Sequence, residues 1–355
     1  MNAKKTATFI IVIAMVVMTV FTGAAAAKSL YLIAEHHTGQ FDAWKIESDG
    51  TATYQATYAL SHAGDPAGVA IDESSVTLFI TSEFSGAIEL VDATKMTSLG
   101  STTAPGASNL AGIEADDDSN IVYTVDRLTD NLYAYDWDST VKTLTLRESV
   151  NLTNCTGAMG IALDDTTGTL WVADSSSGKV RGYNVTTWNE VQNFTPSHCP
   201  CDVAVDKQNG FLYTTAPDGN CALSITGSTT LVKINITTGA ETNVSLGDYG
   251  SMGVAVDCDT GLVYMTGGCN GDTLEVWDTS TSPWTQVQNV DAIGNPAGIC
   301  IPQKDVEYDK PCCAPVHVGQ GPPGATEVPL LTPFGAVLLI GLLAIAGVIG
   351  IRRRT

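Results

Sequence analysis

Between Gly68 and Pro302 the chain repeats one pattern of apolar and polar positions. A five-residue run of small and branched side chains ending in an acid recurs as GVAID (68–72), GIEAD (112–116), GIALD (160–164), DVAVD (202–206) and GVAVD (253–257), with the variant GICIP at 298–302. Each run meets a polar turn and then a β-branched or aromatic stretch: VTLFITS (76–82), NIVYTVD (120–126), GTLWVAD (168–174), GFLYTTA (210–216) and GLVYMTG (261–267). A third stretch follows, as AIELVDA (87–93), NLYAYDW (131–137), KVRGYNV (179–185), LVKINIT (231–237) and TLEVWDT (273–279). Short runs of this kind, separated by Asp, Asn and Gly, predict strands, with the first two of each repeat forming an antiparallel hairpin. A weaker fourth strand fills the remaining length, and no long amphipathic helix pattern is visible.

Successive motifs start 44, 48, 42, 51 and 45 residues apart, the length of a four-stranded propeller blade. Five repeats are complete, and GICIP supplies only the first strand of a sixth. Its missing strands stand at the other end of the chain as LYLIA (30–34), QFDAWKI (40–46) and ATYQATYA (52–59). The expectation is therefore an all-β, six-bladed β-propeller over residues 28–302. The strand near Gly298–Ile301 should pair with that near Leu30–Ala34, which leaves no open sheet edge between first and last blades.

The two ends read differently. Lys4 and Lys5, an apolar run from Phe9 to Phe21 and the small residues Gly23 to Ala27 have the order of a signal peptide over 1–27, cleaved after Ala27. A retained anchor is the competing reading. Residues 303–333 form a Pro/Gly-rich stalk. Phe334–Ile351 is uncharged and apolar, a transmembrane helix or sorting tail, and 352–355 is a basic end carrying Arg352, Arg353 and Arg354, expected on the cytoplasmic side. The chain is thus expected to be exported and anchored at the cell surface by its C-terminal segment.

Setting aside Lys4, Lys5 and the three terminal arginines, 12 basic residues face 38 acidic ones in the outer part. Such a surface repels nucleic acid and excludes it as a partner. Sequons at Asn151, Asn154, Asn184, Asn193, Asn235 and Asn243 are usable glycosylation sites in an exported chain and suggest one sugar-coated flank.

The stretch GIALDDTTGTLWVADSSSGKVRGYN (160–184) resembles the NHL repeat and, more loosely, YVTN-type surface propellers and gluconolactonase-like six-bladed propellers. The resemblance covers roughly residues 28 to 302, and implies the fold far more than a function. The tail, with Val328, Pro329, Thr332 and Pro333 ahead of the apolar span and arginines after it, resembles C-terminal sorting signals of archaeal and bacterial surface proteins. In such families the tail is in some cases cut and replaced by a lipid.

Candidate chemistry lies in the loops leaving the second strands, which crowd one mouth of the central channel. They hold Glu35, His36, His37, Glu83, Asp126, Asp174, Asp218 and Asn270. As a functional set, Glu35, Glu83, Asp126 and Asp174 are the metal candidates, suited to Ca²⁺ or another divalent ion. As a structural set, each Asp is the Asx-turn residue of its repeat. Likeness to gluconolactonase-like enzymes implies a metal-dependent lactone or ester hydrolase, with Glu35 or Glu83, Asn270 and Asp174 matching its ligands only by approximate position. No nucleophile elbow, His-Glu-X-X-His or phosphate loop is present, and His62, His198 and His317 have no evident partners.

The nine cysteines read first as disulfides in an exported chain. Strand direction puts Cys155, Cys199, Cys201, Cys221 and Cys269 on one face and Cys258 on the other, where the chain emerges toward Cys312 and Cys313. The expected pairs are Cys221 with Cys199 or Cys201, and Cys258 with Cys312 or Cys313. The preferred functional expectation is a binding or cell-envelope module whose partner is a protein or glycan met through loops on one face. The lactone or ester hydrolase is the alternative.

Overall fold

The computed structural model describes residues 28–35, 39–217, 228–249, 251–267, 273–292 and 296–303. The strands run β1 (Lys28–Glu35), β2 (Gln40–Ile46), β3 (Ala52–Ala59), β4 (Pro66–Asp72), β5 (Thr77–Ser82), β6 (Ala87–Asp92), β7 (Thr97–Thr103) and β8 (Leu110–Asp116). They continue as β9 (Ile121–Asp126), β10 (Asn131–Asp138), β11 (Thr143–Asn151), β12 (Ala158–Asp164), β13 (Thr169–Asp174), β14 (Lys179–Asn184), β15 (Glu190–Phe194) and β16 (Asp202–Asp206). The last are β17 (Phe211–Pro217), β18 (Ser228–Asn235), β19 (Glu241–Tyr249), β20 (Ser251–Asp257), β21 (Leu262–Gly267), β22 (Thr273–Asp278), β23 (Thr285–Asp291) and β24 (Ile299–Cys300).

They form six four-stranded antiparallel sheets. Five are continuous in sequence. The sixth has the order β24-β1-β2-β3 and joins the two ends of the domain, with Tyr31 opposite Cys300 and Leu32 opposite Ile299. Calling this composite sheet blade 1, blades 2 to 6 follow in chain order from β4. Their first strands, β4, β8, β12, β16, β20 and β24, touch in succession and close into a ring. The expected six blades and their mode of closure are both present.

Strand periodicity explains how the ring is held. Successive residues of a strand point to opposite faces of its sheet, so each blade sends alternate side chains into the gap on either side. In β5, Leu78 and Ile80 pack toward blade 1 with Tyr31 and Phe41, while Phe79 packs toward blade 3 with Tyr133 and Trp137. Six such clusters, one per gap, make up the core. Inner strands buried on both faces must be apolar on both, which is why the repeated motif reads as a continuous run.

The motif glycine has a separate cause. A Cβ on Gly68 would lie 2.5 Å from the carbonyl oxygen of Ala111 in the next blade, and one on Gly298 would lie 2.5 Å from that of Ala67. At these two positions the inner strands approach backbone to backbone, and only glycine fits. At the far end of each first strand the motif acid closes its turn: Asp72 Oδ1 accepts from Ser74 N–H at 3.1 Å, Asp164 Oδ1 from Thr166 N–H at 3.1 Å, and Asp257 Oδ1 from Asp259 N–H at 3.1 Å.

Among the described residues no helix is long and apolar enough to cross a membrane. The expected signal peptide, stalk and transmembrane tail lie outside the described residues.

Candidate functional site: the central channel

The six first strands enclose a channel with a cavity of about 450 Å³, within the usual range of ligand pockets. First strands all run the same way, so the channel has two distinct mouths. At the turn face, where first strands end, it is bordered by Glu73, Asp117, Asp118, Asp165, Lys207 and Gln303. At the loop face, where second strands end, Glu83 reaches it.

Between the mouths the wall is mostly backbone and small apolar side chains, with two exceptions. The third motif position is Ala70, Ala162, Ala204, Ala255 or Cys300 in five blades, but Glu114 in blade 3. Enclosure pushes the Glu114 carboxyl up to about 8, with Asp117 and Asp202 adding to the rise and Lys207 opposing it. Glu114 Oε1 accepts only a 3.3 Å bond from the next residue's N–H, Ala115.

The second exception is Asp202, which stands where the other repeats carry glycine. Its Oδ2 accepts from Val254 N–H of blade 6 at 2.9 Å and its Oδ1 from Val203 N–H at 2.9 Å. A Cβ on Gly160 of blade 4 would lie 1.8 Å from Oδ1. Asp202 therefore wedges three blades together at the channel wall, and burial pushes its carboxyl up to about 7. Neither residue stood out when the motif was read only as turn chemistry. The available signal was departure from the repeat: an acid in place of alanine, and an acid in place of glycine.

The expected metal candidates are placed as follows. Asp126 is buried and accepts from the N–H groups of Ser108, Asn109, Leu128 and Thr129 at 2.7–3.0 Å. Burial works against its charge, yet these four donors outweigh it and hold the carboxyl below the usual range. Asp174 is also buried; it takes Arg181 Nε at 2.7 Å, the hydroxyl of Ser177 and the N–H of Thr156. Both are spent on their own loops. Glu83 is buried near Arg127, whose Nη1 is 3.9 Å away. Glu35 ends β1, and its side chain, like His36, His37, Asp218 and Asn270, lies outside the described residues. Among the described residues no three of His, Cys, Asp and Glu converge as metal ligands.

The cysteines require one correction. Cys258 is a buried free thiol, not a disulfide partner. Its Sγ lies 3.9 Å from Val205 O, and burial pushes the thiol up to about 11. The segment after the closing strand does reach it, through Gln303: Cys258 N–H donates to Oε1 at 3.0 Å, and Nε2 donates to Val256 O at 3.1 Å. A side-chain amide performs the fastening expected of a disulfide. Cys201 is likewise reduced, with Sγ 4.0 Å from Met159 Sδ. Cys199 is disulfide-bonded; Cys221, Cys312 and Cys313 lie outside the described residues.

Asn151, Asn154, Asn193 and Asn243 are exposed, the last two on the outer strands β15 and β19 of adjoining blades. Asn184 and Asn235 are half-buried, and their Oδ1 atoms close turns by accepting from Thr186 N–H at 3.1 Å and Thr238 N–H at 2.8 Å.

Fold and channel together define a six-bladed β-propeller. A family model described as "Lactonase, 7-bladed beta-propeller" matches residues 72–191. That stretch runs from the end of β4 into β15, so the likeness is one of blades, and this ring has one blade fewer. No curated protein is detectably similar in sequence. Among solved structures, a chain of a nidogen/laminin complex superposes with a TM-score of 0.60 at 13% identity, covering 78% of this chain and 98% of that one. A protein from Lactobacillus plantarum superposes with a TM-score of 0.52 at 18% identity, covering 75% of this chain and 82% of its own. At such identities the likeness is of fold alone.

Proposed function

We propose that this chain is an exported binding module, held at the cell surface by its C-terminal segment and glycosylated on its outer rim, which recognises a surface protein or glycan through its loop face. The observation that carries this reading is the place where the chain enters and leaves the ring. Lys28 opens β1 and Gln303 follows β24, and both are bonded at the turn after β20, Lys28 to Asp257 and Gln303 to Cys258. Both ends of the described chain are thus fastened on the turn face, opposite the loops of the proposed recognition surface.

That face presents Phe84 and Leu128, 66% and 68% exposed, at equivalent positions two residues past β5 and β9. Phe84 has φ of 61°, a costly conformation for a bulky residue and one concentrated at functional sites. Two apolar tips beside the Glu83–Arg127 pair have the composition of a recognition patch. The test is retention of the protein on isolated cell envelopes. Phe84→Ala with Leu128→Ala should lower affinity about tenfold or more at an unchanged melting temperature; undiminished retention overturns the reading.

The lactonase match over 72–191 favours a second reading, a hydrolase of lactones or esters. Turnover of a lactone panel by the full chain, abolished by a chelator, would replace binding with catalysis.

A further inference from the structure

The channel itself carries a separate inference, independent of the loop face. We propose that it binds a linear aliphatic diamine or polyamine, one ammonium group meeting Glu114 and Asp202 inside and another meeting the carboxylates of the turn-face mouth. Glu114 is enclosed by the ring, points into a cavity of about 450 Å³, and has no bond to another blade. A half-buried carboxyl facing an enclosed channel is better satisfied when a cation meets it. The cavity's own cation, Lys207, is already held by Asp165 at 2.5 Å.

The walls select the kind of cation. A divalent metal needs several convergent oxygens, and no such trio is found among the described residues. Between Glu114 and the mouth the lining is apolar, with Ile71, Ala115, Leu163, Val205 and Val256 one step along the strands, which suits a short methylene chain better than a hydrated ion. Carboxyls stand at both ends of that stretch: Glu114 and Asp202 within, Glu73, Asp117 and Asp118 at the mouth. A chain with a charge at each end satisfies both levels at once, where a monoamine satisfies one.

Binding should be linked to protons. The charged and titratable groups facing Glu114 are Asp117, in the turn after its own strand, and Asp202, Lys207 and Cys300 of other blades, with Glu73 beyond Cys300. Near neutral pH Glu114 is largely protonated; an ammonium favours its carboxylate and expels the proton into buffer.

The test is isothermal titration of the full chain with 1,4-diaminobutane, with 1,4-butanediol and calcium chloride as comparisons. The expected result is one diamine per chain, affinity rising about tenfold from about pH 6 to about pH 8, and binding heats that vary with the buffer's ionisation enthalpy. Glu114→Gln should weaken the diamine about tenfold and reduce the proton release to that of Asp202. Because that variant could fold poorly, the wild-type pH series stands as the second measurement. Absence of diamine binding at either pH, equal binding of the diol, affinity unaffected by both pH and Glu114→Gln, or calcium binding in the diamine's place would each overturn the proposal. All of these are independent of envelope retention, so this site and the loop face can fail separately.

Discussion

Lys28, the first residue of β1, places its ammonium 2.7 Å from Asp257 Oδ1 in the turn after β20, with Asp259 Oδ2 at 2.5 Å. The contact joins positions 229 residues apart and clamps the composite blade to blade 6 at the point where the ring closes. Lys28 and Asp257 are almost fully buried, whereas Asp259 is exposed, so the contact lies between the surface and buried limits of an ion pair. Lys28→Met is expected to cost roughly 2 kcal/mol. Urea titration checks this. Loss should fall on the unfolding rate and on exchange protection of β1 and β24; an unchanged midpoint would make the clamp incidental.

The channel acids set a pH dependence whose sign is opposite to that of the loop acids. Glu114 and Asp202 are raised in the folded state, to about 8 and about 7. The folded protein then holds more protons than the unfolded one between about pH 4 and pH 8, so these groups stabilise at low pH and their contribution is lost as pH rises through that window. Asp126 and Asp72 are lowered, and their contribution is lost only in acid below the ordinary carboxylate range. Melting temperature should therefore decline from about pH 5 to about pH 9. The decline should flatten in the double variant Glu114→Gln, Asp202→Asn; an equal slope in both proteins would remove these two acids as its cause.

The sequence made the ring legible because its physical demands repeat. Gly68 and Gly298 are forced by close backbone approach, Asp72 and Asp257 by a turn, and the intervening apolar residues by burial on both faces, so the pattern recurs blade by blade with few departures and the strand count follows. Closure was legible by subtraction, since GICIP lacks three partner strands that only the N-terminus can supply. The site was less so. Asp126 and Asp174 attract notice as acids at a channel mouth, yet their oxygens are taken by local donors, which composition does not reveal. Glu114 and Asp202 occupy motif positions whose usual residues face the neighbouring inner strands, and their meaning depends on the ring bringing blades 3 and 5 across from each other. The fate of Cys258 depended on a single amide, that of Gln303, which no pattern marks.

Asp174 offers a direct contrast between loop anchor and metal ligand. Its carboxylate is buried and receives Arg181 Nε at 2.7 Å, while Arg181 Nη1 also reaches Glu190 at 2.9 Å. Asp174→Asn leaves the buried guanidinium with one carboxylate and should destabilise the protein by roughly 2–4 kcal/mol. Added calcium should raise the melting temperature of wild type and variant by the same amount. Calcium stabilisation that disappears in the variant would return Asp174 to an ion site.

Cys258 and Gln303 decide how the end of the propeller is fastened. The thiol is buried, raised to about 11 and unbonded to another sulfur; a thiol so raised is a poor nucleophile. Three bonds instead run through Gln303: from Cys258 N–H to Oε1 at 3.0 Å, and from Nε2 to Val256 O at 3.1 Å and Ile301 O at 3.0 Å. Together they tie the residue after the closing strand to the inner strand of blade 6. In the native protein Cys258 should resist alkylation and react only on unfolding, and non-reducing peptide mapping should return it unlinked while Cys199 appears in a linked fragment. Gln303→Ala removes the tie, should cost about 1–2 kcal/mol, and should speed native-state alkylation of Cys258 by letting β24 and the end of β20 part. A fragment joining Cys258 to Cys312 or Cys313 would show that a disulfide, and not the amide, holds this seam, and the alkylation rate in Gln303→Ala would then stay at the wild-type value.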